Sequence, residues 1–135
     1  MRARDALGRP VPAGAPDAVE AVPEEALPPY DAVALARSLL AEGRAFAAHE
    51  VFEASWKAAP PDERELWQGL AQVSVGLTHL QRGNRVGASR LLRRGAGLLA
   101  GRKAAYGVDV AAVAADAMRA AGQVEAGGTP DALQL

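Results

Sequence analysis

His49, Glu50 and Glu53 stand within GRAFAAHEVFEASW, residues 43–56, and are the side chains of this chain best equipped for chemistry. On a helix, residues four apart lie on one face a turn from each other. His49 and Glu53 can therefore share a proton, clamp a cation, or tune one another's ionisation near neutral pH. The pentad HEVFE departs from the zinc-protease pattern HExxH at its last position, where Glu53 takes the place of a second histidine. A histidine and a carboxylate on one helix are too few ligands for a tight ion unless Glu50 or Asp5 joins them. Neither a metal nor any other cofactor is expected. General acid–base chemistry is the remaining option, with His49 tuned by Glu53 or Glu50. No nucleophile accompanies it, because Ser55 points away from His49 and the chain has no cysteine. The missing cysteines also remove disulfides and Cys-ligated zinc.

The helix that must carry these residues reads as central. At about 100° per residue, Glu42, Phe46, His49, Phe52, Glu53 and Trp56 share one arc, while Ala47, Val51 and Ala54 lie opposite. A helix apolar on both sides is packed on both sides, so His49 and Glu53 are expected to be at least partly buried. Pro60 and Pro61 end this helix, and the next must return antiparallel to it. Three polar pairs then share one constant sum of residue numbers: Glu42 with His79, His49 with Gln72, and Glu53 with Gln68. In one reading this is a hydrogen-bonded network that fixes the register of the hairpin. In the other, the cluster of His49, Glu50, Glu53, Trp56, Gln68, Gln72 and His79 lines a ligand pocket. Catalytic roles are left unassigned, and Trp56 and Trp67 read as core or rim packing.

The elements follow from punctuation. Residues 1–29 hold Pro10, Pro12, Pro16, Pro23, Pro28 and Pro29 with Gly8 and Gly14 between them, which forbids a helix of more than a turn or two. They form a Pro-rich arm that lies across the helical body through Leu7 and the arginines. A helical domain over 30–121 begins with a helix capped by Asp31 and stopped by Gly43. A second helix spans about 44–58, a third runs from an Asp62 cap with Glu65 at the capping-box position to about Gln81, and a fourth spans about 84–100. A weaker fifth helix covers 108–121, and residues 122–135 form a flexible tail.

A chain of 135 residues, half of them hydrophobic, buries one core. Its net charge of −1 is unevenly divided. Residues 17–65 carry eleven acids against four bases, whereas residues 66–108 carry seven bases and no acid. Without interleaved aromatics the basic stretch reads as a solvated face, so nucleic acid is not the expected partner. The opening MRARDALGRP has no apolar core of an export signal, and the longest uncharged run is too short and polar to span a bilayer. A cytoplasmic protein that does not engage membranes is expected, with an unidentified protein or small molecule as partner and homodimerisation left open.

Shifting the chain by forty residues aligns Gly43, Ala48, Val51 and Phe52 with Gly83, Ala88, Leu91 and Leu92. Two tandem antiparallel hairpins result, and LLAEGRAFAAHEVFEASWKAAPP resembles a tetratricopeptide unit in its Gly, small Ala, aromatic and closing Pro. A second resemblance rests on Gly43, Phe46, His49, Glu50, Glu53 and Trp56, then Gln68, Gly69, Gln72 and His79, then Arg82, Gly83, Asn84, Gly87, Ala88, Leu91 and Leu92. Over about residues 31–100 the chain resembles the prokaryotic family catalogued as domain of unknown function 309, and its opening and closing segments resemble actinobacterial members. The resemblance implies a compact helical bundle inside the cell and supplies no activity. The expected fold is all-α: a compact bundle of two tetratricopeptide-like hairpins plus a C-terminal helix. The expected role is a non-enzymatic binding or interaction module. The alternative is a small metal-dependent or acid–base enzyme centred on His49, Glu50 and Glu53.

Overall fold

In the computed structural model, which describes residues 3–135, five helices form the body: α1 (Pro29–Ala41), α2 (Ala45–Ala58), α3 (Arg64–Gln81), α4 (Arg85–Leu99) and α5 (Val110–Glu125). The forty-residue repeat has a local cause. Gly43 and Gly83 both adopt left-handed conformations, with φ of 76° and 81°. At each, the next amide turns back onto the closing helix: Arg44 N–H donates to Leu39 O, and Asn84 N–H to His79 O, both at 2.8 Å. These are twin Schellman closures, and each reverses the chain into the next helix within three residues.

Helix starts differ from expectation. Asp31 lies inside the first turn of α1, which begins at Pro29 with no side-chain cap. Asp62 lies in a short 3-10 turn, Pro61–Glu63, and α3 starts without a capping box at Glu65. Proline at the first helical position already fixes φ and removes one orphan donor, so the carboxylates are not needed as caps. Side-chain caps appear at α4 and α5: Asn84 accepts from Gly87 N–H at 3.0 Å and Asp109 from Ala112 N–H at 3.1 Å.

Consecutive helices pack on one another, most extensively α3 on α4, while α1 and α5 make no extensive direct contact. The α3–α4 crossing is close because glycines meet there; a Cβ on Gly95 would come within 2.9 Å of the Gly69 carbonyl. One continuous core runs through the bundle and includes Leu39, Phe52, Trp67, Leu70, Leu92, Leu99 and Val113. Glu63 braces its aromatic end, accepting from Tyr106 Oη at 2.7 Å and from Trp67 Nε1 at 3.3 Å. Among the described residues, no helix is long and apolar enough to cross a membrane.

The segment before α1 is not merely an extended arm. It forms a small antiparallel sheet of β1 (Ala3–Asp5), β2 (Pro10–Val11) and β3 (Ala18–Val19) in the order β2-β1-β3. Its first turn is built by Asp5, whose Oδ1 accepts from Leu7 N–H and Arg9 N–H at 3.0 and 2.8 Å. Beyond α5 the chain doubles back, and Leu133 is buried in the core cluster with Leu135 packed against it.

Candidate functional site

Phe46, in the first turn of α2, seats the N-terminal sheet. Gly8 lies so close over its ring that an added Cβ would stand 2.2 Å from Phe46 Cγ, and the φ of 80° at Gly8 independently excludes most L side chains. Two guanidinium groups also lie over the same ring, Arg4 at 5.0 Å and Arg82 at 5.6 Å from its centroid. Each guanidinium is held by the loop that carries Gly8. Arg4 Nη1 donates to Gly8 O at 2.6 Å, and Arg82 Nε to Leu7 O at 2.9 Å. Arg44, just before α2, donates to Glu20 O at 2.5 Å and fastens the other end of the sheet.

Between the fastened sheet and α2 lies a cleft of about 240 Å³, bordered by Arg4, Val19, Glu24, Arg44, Phe46 and Glu50 among others. A second hollow continues along α2 past His49, Glu50 and Glu53 to Lys57, with Val22, Pro23 and Glu24 as its opposite wall. Glu50 borders both. Its carboxyl takes part in no hydrogen bond or ion pair among the described residues, and burial pushes its pKa above the ordinary value despite nearby His49, Arg4 and Arg44.

Glu53 is the opposite case. Lys57 Nζ lies 3.0 Å from its Oε1, and His49 Nε2 donates to its Oε2 at 2.8 Å. The hydrogen bond from Lys57, followed by His49, holds the Glu53 carboxyl below its ordinary range. His49 Nδ1 lies 3.3 Å from the Phe46 carbonyl, and its ring packs 5.3 Å from the Phe46 ring. Both neighbours of the imidazole are acceptors, so a neutral ring satisfies one of them at a time. Glu53 is thus a fixed charge that orients His49, whereas Glu50 is a carboxyl left free to meet something else.

The expected interhelical network does not form. Among the described residues neither His49 nor Glu53 is hydrogen-bonded to Gln68 or Gln72, and Gln72 Oε1 is buried without a partner. Glu42 is exposed, and His79 pairs instead with Asn84 Nδ2 at 3.1 Å. The reason is the rotation of α2 about its own axis. Phe46 and Glu50 face the N-terminal sheet and His49 and Glu53 the Val22, Pro23 and Glu24 stretch that follows it, while Phe52 on another side meets Trp67 of α3 at 6.3 Å between centroids. Trp56 is half-buried against the core. The cluster therefore resolves into His49, Glu50 and Glu53 at the cleft, with Gln68, Gln72 and His79 on α3.

Arg4, Arg44, Val22 and Glu24 also border the site beside Phe46, and the expectation for the α2–α3 hairpin does not include them. The available signal was RARDALGRP, where an Asp three residues before a Gly marks a turn able to present arginines. The basic stretch also changes character. Arg82, Arg85, Arg93 and Arg102 are tied to Leu7 O, to Val124 O and Gly128 O, to Glu125, and to Asp62 O. Most of the apparent basic face is thus committed to the fold. Among the described residues no group of three or more His, Asp or Glu side chains is placed to hold a metal ion.

Residues 33–91 match the family model described as Domain of unknown function (DUF309). The match takes in His49, Glu50 and Glu53 but not the N-terminal sheet that forms the other wall of the cleft. The chain is similar to the "Uncharacterized protein YpuF" of Bacillus subtilis (strain 168), with 44% identity over 48 residues, which is 35% of this chain and 28% of that protein. The matched segment thus spans less than a third of the relative's length. No solved structure matches the chain.

Proposed function

We propose that the chain, whose residues 33–91 match the model of the DUF309 family, is a binding module whose cleft takes a small molecule bearing a primary ammonium group. The observation that carries this reading is Glu50, a partly buried carboxyl at the wall of the cleft with a raised pKa and no partner among the described residues. A desolvated carboxyl gains most from a cation placed beside it, because the incoming charge offsets the cost of its burial. Acids outnumber bases around the cleft, with Asp5, Glu20, Glu24 and Glu50 against Arg4 and Arg44. Arg4 and Arg44 are already engaged by backbone carbonyls, and Glu20 and Glu24 stand at the rim. Phe46, Val19 and Val22 offer apolar contact for the remainder of the ligand. The size of the cleft suits a ligand on the scale of an amino acid or a short diamine.

Thermal unfolding against a panel of primary amines, amino acids and diamines tests the reading. At least one of these raises the melting temperature of the wild-type chain, and Glu50→Gln abolishes the rise while Arg90→Gln, on α4, preserves it. If no amine stabilises the protein, or if stabilisation survives Glu50→Gln, the reading fails.

One observation favours acid–base chemistry in the same place. A carboxyl with a raised pKa beside an imidazole held by Glu53 is the pairing that proton transfer at neutral pH uses. In that case Glu50 exchanges the proton and His49 acts as its neighbouring donor. Turnover of an amine that Glu50→Asp loses while still binding it would establish the enzyme in place of the module.

A further inference from the structure

We propose that the hollow where Tyr30 meets the loop after α4 binds a small zwitterion carrying a quaternary ammonium group, of the trimethylglycine type. The hollow has a volume of about 450 Å³ and is bordered by Tyr30, Glu63, Leu66, Arg102, Lys103 and Tyr106 among others. It shares no residue with the cleft at Glu50. Tyr30 and Tyr106 form a corner there, with ring planes at 89° and centroids 5.4 Å apart. Aromatic faces set at right angles attract a methylated cation through the negative potential of the rings. Glu63 adds a full negative charge, and its carboxylate takes part in no ion pair among the described residues. Both of its oxygens already accept a hydrogen bond, one from Trp67 Nε1 and one from Tyr106 Oη. A primary ammonium would therefore find few acceptors to replace its water, whereas a trimethylammonium group has no N–H to satisfy.

Neither tyrosine is explained by the core alone. Tyr30 is 67% exposed, and its hydroxyl takes part in no hydrogen bond among the described residues. Pro29, the first residue of α1, fixes the backbone just before it. Tyr106 has a φ of 51° and is the one non-glycine residue with positive φ among the described residues. It shares a two-residue turn with Gly107, whose φ is 81°, and hydrogen bonds exchanged between Ala105 and Val108 at 3.1 and 2.8 Å close that turn. Such turns favour asparagine before the glycine, so a tyrosine there carries backbone strain. The ring held in this way stacks on Trp67 at 5.6 Å between centroids and also borders the hollow. Lys103 borders it too and is exposed, with no hydrogen bond or ion pair among the described residues, whereas Arg102 is engaged by Asp62 O at 2.6 Å. An aromatic corner with a carboxylate, and an unengaged ammonium in the same hollow, suit a ligand with one cationic and one anionic end. The methylated nitrogen goes to the tyrosines and the ligand's carboxylate to Lys103.

Calorimetric titration of the full chain with trimethylglycine tests this. The wild-type chain is expected to bind it, and to bind tert-butylacetate about tenfold more weakly or not at all, because carbon in place of the quaternary nitrogen keeps the shape and removes the charge at the rings. Tyr30→Ala, at an exposed position outside the core, is expected to weaken trimethylglycine about tenfold. Tyr30→Phe is expected to retain it, since the ring and not the hydroxyl makes the contact. Lys103→Met weakens trimethylglycine but leaves the binding of tetramethylammonium, which has no carboxylate, unchanged. Glu50→Gln alters neither. Absence of binding to the wild-type chain, equal affinity for tert-butylacetate, or full affinity in Tyr30→Ala overturns the proposal. So does a loss of binding in Glu50→Gln, which would move the ligand to the cleft on α2.

Discussion

The segments on either side of the helical body are of similar stock, rich in Pro, Gly and Ala and lacking helical periodicity, but they are attached by different physics. The N-terminal one is held through its backbone. It pairs strand with strand, its turn is closed internally by Asp5 and by Arg4 donating to Gly8 O, and two arginines of the body, Arg82 and Arg44, reach its carbonyls at Leu7 and Glu20. The C-terminal one is held through side chains, by Leu133 and Leu135 with Arg37 at the end. Two buried leucines are a small apolar gain to set against the conformational entropy of seven ordered residues, so this attachment is weak. Polar anchors spread along a backbone fix the wall of a cleft at many points, whereas two apolar anchors hold a segment mainly at its end.

Substitutions can break this contrast. The largest effect is expected at Gly8, where Gly8→Ala places a methyl into the Phe46 ring and forces a side chain into a left-handed conformation. A loss on the order of 2 kcal/mol is expected in urea denaturation, together with faster hydrogen exchange in residues 3–11 and unchanged exchange in α3 and α4. Slow exchange retained through residues 3–11 would mean that the ring contact does not hold the sheet. Leu133→Ala is expected to cost less, about 1 kcal/mol, although fully buried leucines typically cost 2–5 kcal/mol. The segment can detach, and that caps the loss. A cost above about 3 kcal/mol would make the C-terminal segment as integral as a helix and erase the contrast.

Much of the body was legible because its rules are local. Gly43 and Gly83 end helices by a conformation that few other residues adopt, and proline pairs mark the turns, so helix order and the forty-residue repeat follow from adjacent residues. The site was half legible. The shared arc of Phe46, His49 and Glu53 is a property of one helix, but the direction in which that arc faces depends on what packs against it. Here the neighbour is a three-stranded sheet made of strands of two or three residues, too short to show an alternating pattern. Charge counting misjudged the arginines for a related reason. Arg82 and Arg85 are bound to carbonyl oxygens, and acceptors of the backbone are invisible in a tally of acidic side chains.

Smaller effects sharpen the account of the cleft. His49→Ala removes a hydrogen bond on a partly exposed face and is expected to cost about 0.5–1 kcal/mol at pH 7. The contribution of Glu53 has a definite pH dependence. Its folded pKa lies below the ordinary 4.5, so its stabilisation is complete above that value and is lost as pH falls through the lowered one. Lys57→Met, which removes the main cause of the depression, should flatten the acid limb of the stability curve; an unchanged limb would assign it to other carboxylates. Glu50 works in the opposite sense. Its folded pKa is raised above 4.5, so the folded state favours its protonated form and loses relative stability as pH rises from 4.5 through the raised value. Glu50→Gln should therefore stabilise the free protein slightly at pH 7, by a few tenths of a kcal/mol, even as it removes the ligand anchor. A destabilised Glu50→Gln would show that the carboxylate already has a partner in the fold.

The most direct measurement is an NMR titration of the Glu50 side-chain carboxyl carbon, with Glu53 as internal reference, in sodium chloride and again in methylammonium chloride at equal ionic strength. The account predicts that Glu50 titrates above Glu53 in sodium chloride. It also predicts that the Glu50 midpoint falls in methylammonium, as the probe enters beside the carboxylate, while Glu53 stays where Lys57 holds it. A Glu50 midpoint in the ordinary carboxylate range, or one that methylammonium leaves unmoved, would contradict the claim that this cleft is built to receive an ammonium group.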